Sequence, residues 1–253
     1  MPTGIGVGIA GQVFQSKAGS GVAPEPYDNR FSVDFNGVDE SMRSSTLSGP
    51  DFGTADFSIS FWLKPDEDRS GNERIMHKVG GVSWQIFITG SDTMQWVGGW
   101  NDGALFSLDI DSWQHIVYSV DRSGNASWYK NATFSDSKDI SSETSNYDAG
   151  NNFFVGRNGG GAYNYHGQMD EIAFYKKALS SSEITAIYNS GNSADLNALS
   201  SASDLSHWFR MGDPNGDSLF PQIPNSSDNS GSDTFALDFF ENMQRSNIVQ
   251  DAP

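Results

Sequence analysis

From Phe31 onward the chain alternates apolar and polar residues in short runs broken by turn formers. "FSVDFNG" puts Phe31, Val33 and Phe35 on one face. "DFSISFWLKP" points Phe57, Ile59, Phe61 and Leu63 inward and Ser58, Ser60, Trp62 and Lys64 the other way, and Pro65 ends it. The runs "SWQIFITG", "MQWVGGW", "ALFSLDI", "WQHIVYSVD" and "NASWYKNATF" follow, separated by Gly, Asn, Asp and Ser clusters. Spacing of roughly ten residues per strand, with no helices between, predicts an all-β, two-sheet antiparallel jelly-roll sandwich. One helix interrupts the pattern late. "LSSSEITAIYNSG" offers Ser180 and Glu183 as a capping box, an apolar stripe of Ile184, Ile187 and Tyr188, and Gly191 as C-cap, and is expected against the sandwich edge. "SHWFRMGD" and "DTFALDFF" read as two further strands, whereas "NMQRSNIVQDAP" carries no strong pattern.

Before the alternation starts lies a glycine ladder, "GIGVGIAG", which fits G-x-G-x-x-G. A dinucleotide turn needs a strand before the glycines and a helix after them. Five residues precede Gly6, and "QVFQSKAGSGVAPEP" has no helical period, so nucleotide binding is set aside. The ladder reads instead as an extended arm, residues 1–29, with Ile5, Val7, Ile9 and Phe14 as apolar contacts for a neighbouring molecule. The division expected is this arm, a jelly roll over 30–191, and a C-terminal extension over 192–253 packed on it.

Composition narrows the partners. The formal net charge of −17 repels nucleic acid and anionic lipid, and no run of eighteen apolar residues is present to span a bilayer. With no cysteine, disulfides, thiol catalysis and cysteine-based zinc sites are all excluded. The N-terminus lacks the basic start and apolar run of a secretory signal, so the expectation is a signal already removed or a route that uses none.

The order "FSVDFNGVDE", "FGTADFSISFWLKP", "WQHIVYSVD", "ASWYKNATF", "FFVGRNGG" and "GQMDEIAFYKKALSSSEITAIYNSG" resembles the LamG-like group of concanavalin A-like jelly rolls over about residues 30–191. The last of these segments is the most specific. "FNG" stands where the group has F-D-G, and "YKNA" where it has Y-V-N-G. The tail, "LSHWFRMGD" through "SNIVQDAP", resembles tails of LamG-like proteins encoded by bacteriophages of aquatic bacteria, and the glycine ladder is similar to openings of phage virion proteins.

Retaining glycosidases of this architecture carry E-x-D-x-x-E on one strand, which places two carboxylates about 5 Å apart. No such string occurs here, and His77, His115, His166 and His207 stand in no nucleophile motif, so a non-enzymatic protein is expected. In "GQMDEIAFY" the alternation slips at Asp170-Glu171, which predicts a β-bulge. Many LamG-like and pentraxin-like modules hold Ca²⁺, and the resemblance makes Asp170 the leading ligand, with Asp34 or Asn36 as partners. "DEDRSG" has Asp and Ser at loop positions one, three and five but His77 at position twelve, so it reads as an ordinary acidic turn.

Most tryptophans are expected in the core. The exceptions are in "WVGGW", where Trp96 and Trp100 flank two glycines and leave a shallow gap for a sugar ring. With Tyr163 and Tyr165 of "GRNGGGAYNYHG" they form the expected carbohydrate contacts. The resulting expectation is a bacteriophage virion surface protein (a capsid decoration, head fibre or tail fibre module). Its partners would be other virion proteins or copies of itself in a homo-oligomer or lattice, and host-surface glycan. The alternative is a secreted, extracellular carbohydrate-binding or adhesion module, with a glycoside hydrolase behind both.

Overall fold

The computed structural model describes residues 27–44, 50–67, 71–148, 152–211 and 239–253. In chain order the strands begin with β1 (Ser32–Asn36), β2 (Ser41–Arg43), β3 (Phe57–Pro65), β4 (Glu73–Lys78) and β5 (Trp84–Ile88). There follow β6 (Thr93–Val97), β7 (Asn101–Ser107), β8 (Gln114–Val120), β9 (Asn125–Lys130) and β10 (Thr133–Asp139). The last are β11 (Phe153–Val155), β12 (His166–Tyr175), β13 (Leu205–Phe209), β14 (Phe239–Glu241) and β15 (Ile248–Val249). One sheet runs β10-β9-β8-β3-β12-β1-β15, with β13 also on β12; the other runs β14-β2-β11-β4-β5-β6-β7. Every pairing is antiparallel, as the alternation predicts. Among the described residues no helix is long and apolar enough to cross a membrane.

The inward teeth of β1 and β3 meet those of β5, β6, β8 and β12 in one core, in which Val33, Phe35, Phe57, Ile59, Phe61 and Leu63 are all fully buried. Phe31 lies just ahead of β1 and is half-buried beneath the Arg30 guanidinium. Sequence periodicity leaves the opposite face of the first sheet polar, and here the structure adds a layer. Helix α1 (Ser181–Tyr188) lies on that face, not at an edge, and its Ile184 and Ile187 pack with Val117, Ala173, Tyr175 and Trp208. This cover buries Ser58, Ser60 and Ser119 along with the residues between them, and each finds a partner. Ser58 Oγ donates to Lys177 O (2.8 Å) and accepts from Leu179 N (2.9 Å), Ser119 Oγ donates to Leu179 O (3.1 Å), and Ser60 Oγ pairs with His115 Nε2 (2.8 Å). Buried hydroxyls without such partners cost a few kcal/mol each, so the serines fix the strap 176–180 in register.

The capping box forms as written: Ser180 Oγ accepts from Glu183 N, and the Glu183 carboxylate accepts from Ser180 N at 2.9 Å. The helix stops earlier than the glycine suggests. Asn189, at φ 47°, is the left-handed cap and donates its N–H to Thr185 O, because Asn tolerates that region better than other residues with a Cβ. Tyr188 is half-buried and stacks on Trp62 and His115 at 5.8 and 6.1 Å.

The C-terminal residues join both sheets. β14 pairs with β2 and β15 with β1, and Asp251 latches the end by accepting from Lys64 Nζ (2.7 Å) and Trp113 Nε1 (3.0 Å). Ile5, Val7, Ile9 and Phe14, and most of the arm with them, lie outside the described residues.

Candidate functional site

The proposed sugar platform at "WVGGW" does not form. Trp96 is fully buried and Trp100 is 7% exposed, and Trp96 stacks between Trp84 (5.1 Å) and Trp100 (5.5 Å) inside the sandwich. The glycines do not leave a gap. A Cβ on Gly98 would come within 2.8 Å of Trp96 Nε1, and one on Gly99 within 2.4 Å of Ser145 Oγ, so both are small because side chains crowd them. Gly98 N donates to Trp100 O and Gly99 N to Tyr147 OH, folding the turn down over the core. Tyr165 is also fully buried, edge-on to Phe35 at 5.9 Å. An indole chain surrounded by apolar strands gains more from burial than it would from display.

The bulge at Asp170-Glu171 is present. β12 slips register against β3 between Asp170 and Ala173, and Glu171 sits at φ 51°. Both carboxylates are buried, and both serve the chain itself. Asp170 Oδ2 accepts from Asn29 Nδ2 (2.9 Å), and Asp170 Oδ1 accepts from Glu171 N (2.8 Å). Glu171 accepts from Tyr27 OH (3.1 Å) and Trp208 Nε1 and pairs with Arg210 Nε at 3.6 Å. Burial, and next the Glu171 charge, push the Tyr27 hydroxyl far up, so it stays a donor. Asn36 Oδ1 meanwhile accepts from the N–H groups of Val38, Asp39 and Glu40. Asp34 is opposite Gln168 in the ladder, and burial, followed by Glu40, raises its carboxyl. These residues do not fit a calcium ion. The amide N–H of Asn29 occupies the place a cation would take on Asp170, and among the described residues no three His, Asp or Glu side chains are set to hold a metal. The slip in alternation marked a real bulge. What it aims at is the irregular segment 27–29 that leads into β1.

Three loops meet at one end of the sandwich and enclose a depression of about 580 Å³, lined by Asn36, Val38, Asn72, Glu73, Tyr163 and Asn164 among others. Its shape starts at Gly37, φ 71°, where a Cβ would strike His166 Cβ at 2.8 Å; only glycine lets the 36–40 turn close onto β12. Tyr163 is the aromatic group of the site. It is 51% exposed and sits at φ 58°, a costly place for a bulky residue. Its carbonyl accepts from Arg74 N (2.8 Å), and the Arg74 guanidinium lies 4.6 Å from its ring centroid and 4.1 Å from that of Phe87. The ring is thus held upright from one side. Asn72 Oδ1 accepts from Gly90 N and Asn164 Nδ2 donates to Val38 O, which fixes both amides in the lining of the depression. Glu73, buried behind, accepts from His166 N, and His166 faces Asp66 at 3.7 Å. The exposed ring and the amides can take the apolar face and hydroxyls of a sugar. Glu73 in the lining, and Glu40 on the Asn36 amide beside it, disfavour an anionic one.

The 157–166 loop is tied from below by His77, which the sequence gives no reason to single out. His77 Nδ1 accepts from Gly159 N (2.9 Å) and Nε2 bonds Ser83 Oγ (3.0 Å), so the ring is neutral with the proton on Nε2. Burial, then Arg74, hold its pKa down to about 4, and burial alone holds that of His115 to about 3. Both lie below the unfolded value of about 6.5, so between them the unfolded chain binds more protons. The stability that these two histidines contribute is complete above about pH 6.5 and falls by up to about 1.4 kcal/mol per pH unit for each histidine as pH drops toward those folded values. Urea denaturation from pH 7 to 4 checks this. A flat profile would exclude it, and His77→Asn, whose amide oxygen replaces Nδ1 as acceptor, is expected to remove one of the two contributions.

A Laminin_G_3 family model, described as the concanavalin A-like lectin/glucanases superfamily, matches residues 39–185. No curated protein matches the chain. Among solved structures the chain is similar to a candidate carbohydrate-binding protein from Bacteroides ovatus (18% identity, TM-score 0.55, 73% of this chain and 52% of that one). It is also similar to a heptameric SAP-like pentraxin from Limulus polyphemus (13% identity, TM-score 0.51, 64% and 83%). The receptor-binding domain of botulinum neurotoxin D aligns at 15% identity and TM-score 0.52, covering 64% of this chain and 44% of that one. The chain thus spans about half the length of the Bacteroides and toxin chains, and at these identities the likeness is one of fold. With more than half its length matched and its strands in two antiparallel sheets, this chain belongs to the concanavalin A-like lectin/glucanases superfamily as a Laminin_G_3 domain.

Proposed function

We propose that this protein is a non-enzymatic binding module displayed on a surface, and that the depression beside Tyr163 takes a neutral glycan. The carrying observation is the Tyr163 ring, exposed at a strained backbone position and braced by Arg74 among asparagines. Strain of this kind persists where surrounding contacts enforce it, and it concentrates at binding sites. The family and the carbohydrate-binding description of the Bacteroides relative support the same ligand class. On a glycan array the wild type is expected to bind neutral glycans saturably, Tyr163→Phe to retain binding and Tyr163→Ala to lose at least tenfold in affinity. Equal binding by Tyr163→Ala would refute the site.

In the same reading the display surface is a bacteriophage virion, with residues 1–29 as anchor and virion proteins or other copies of the chain as partners. The uncharged glycine ladder and the phage-like tail support this placement over a secreted adhesion module. Immunolabelling of purified phage particles tests it, and label confined to the culture medium would favour the secreted form.

A further inference from the structure

A second depression, of about 450 Å³, adjoins the first, and Val38 and Asn164 line both. Val38 is 70% exposed and its carbonyl accepts from the Asn164 amide, so the boundary is a low saddle made of one turn and one loop. The far wall comes from a part of the chain outside the 39–185 family match: Glu241 at the end of β14, and Asn242 after it. Arg157 forms an ion pair with Glu241, which also pairs with Arg43 at 3.5 Å and accepts from Ser41 Oγ at 3.2 Å. These contacts fix a guanidinium at the wall. Asn242 is exposed at φ 56°, and its Nδ2 donates to Asp39 Oδ2 (3.2 Å), leaving its Oδ1 toward solvent. Among the described residues no aromatic side chain lines this half; it offers two amides, two carboxylates and a guanidinium.

We propose that the two depressions are one groove, and that the ligand is a linear neutral oligosaccharide lying across the Val38–Asn164 saddle. One sugar would stack on Tyr163, and the sugars beyond would hydrogen-bond to Asn242, Asp39 and Arg157. This inference rests on the glycan reading above. Its physical content is an ordering of the two halves. A sugar in the first half is held by stacking and hydrogen bonds. One in the second is held by polar contacts alone, each of small net value in water, so the second half adds affinity only to a chain already seated in the first. Both volumes fall in the range of about 300–1,000 Å³ typical of small-molecule sites. The C-terminal residues, which the sequence presents as an appendage, thereby become part of the binding surface.

The test is titration calorimetry on the full-length chain with cello-, laminari- and manno-oligosaccharides of two to six sugars. Affinity for the preferred series is expected to rise about tenfold from the shortest ligand to those of four sugars or more, and then to level off. Asn242→Gly, which suits the positive φ, is expected to abolish the rise while leaving the shortest ligand's affinity unchanged; its melting temperature reports that the domain is intact. Tyr163→Ala is expected to weaken every length. Binding of equal strength at all lengths would overturn the continuous groove and leave the glycan site standing, as would a rise that Asn242→Gly does not touch. No binding at any length would overturn both.

Discussion

Trp96→Ala is expected to destabilise the domain by about 3–5 kcal/mol, with a drop in melting temperature of roughly 6–20 °C, and to leave glycan affinity unchanged wherever the variant is folded. The indole sits at the centre of an aromatic cluster. Trp84, Trp100 and Tyr118 lie within 5.5 Å of its centroid, and Phe57 and Tyr147 at 5.8 and 6.0 Å. These rings come from both sheets, so the cavity left by alanine opens the contact between the layers and cannot collapse without moving strands. Trp96→Phe keeps most of the buried area and is expected to cost a fraction as much. Scanning calorimetry beside array binding separates this from a display role. A Trp96→Ala protein that melts like the wild type yet no longer binds would show that the ring faces the ligand after all.

The second large effect is expected at Glu171. Glu171→Gln keeps the size and backbone of a side chain that is 3% exposed, and removes the charge facing Arg210. Glu171→Ala removes in addition the acceptor for Tyr27 and Trp208. Removing a buried carboxylate that accepts from the buried Trp208 and from Tyr27 and pairs with the largely covered Arg210 costs about 3–5 kcal/mol, so alanine is expected in that range, with glutamine smaller because its amide oxygen still accepts one bond. The loss has a direction as well as a size. Arg210 also lies 4.7 Å over the Tyr27 ring and donates to Asp28 O, so the cluster is what seats residues 27–29 on the sandwich. Trypsin cleavage after Arg30 is therefore expected to accelerate in Glu171→Ala before global unfolding. Unchanged cleavage and a loss below about 1 kcal/mol would assign the cluster no anchoring role.

These outcomes bear on the proposed display. If residues 1–29 are the anchor, the pull of a docked arm passes into the domain at the Glu171 cluster, at the bulge in the middle of β12, whose first residue, His166, lines the groove. β12 would then connect anchor and binding end through a single strand paired to β3 along its length, apart from the bulge.

Local signals were legible because they are carried by neighbours in sequence. The period of two in β1 and β3, the Ser180–Glu183 capping box and the slip at Asp170-Glu171 each need only a few consecutive residues, and backbone geometry reads them directly. What lies over a strand is a different question. Ser58 and Ser60 look like solvent positions until α1, more than a hundred residues on, covers them, and Trp96 and Trp100 could as well be displayed as buried until Tyr118 and Tyr147 arrive from other elements. The groove depends on the same kind of fact. Asn36, Asn72, Tyr163 and Asn242 are far apart along the chain, and their adjacency follows from how β2, β4, β11 and β14 neighbour one another in the second sheet and from the pairing of β1 with β12 in the first. Periodicity determined the two-sheet sandwich, because burying one face of each strand is a local demand. Only the tertiary structure decided which aromatic faces outward, because that depends on what distant segments bring to cover it.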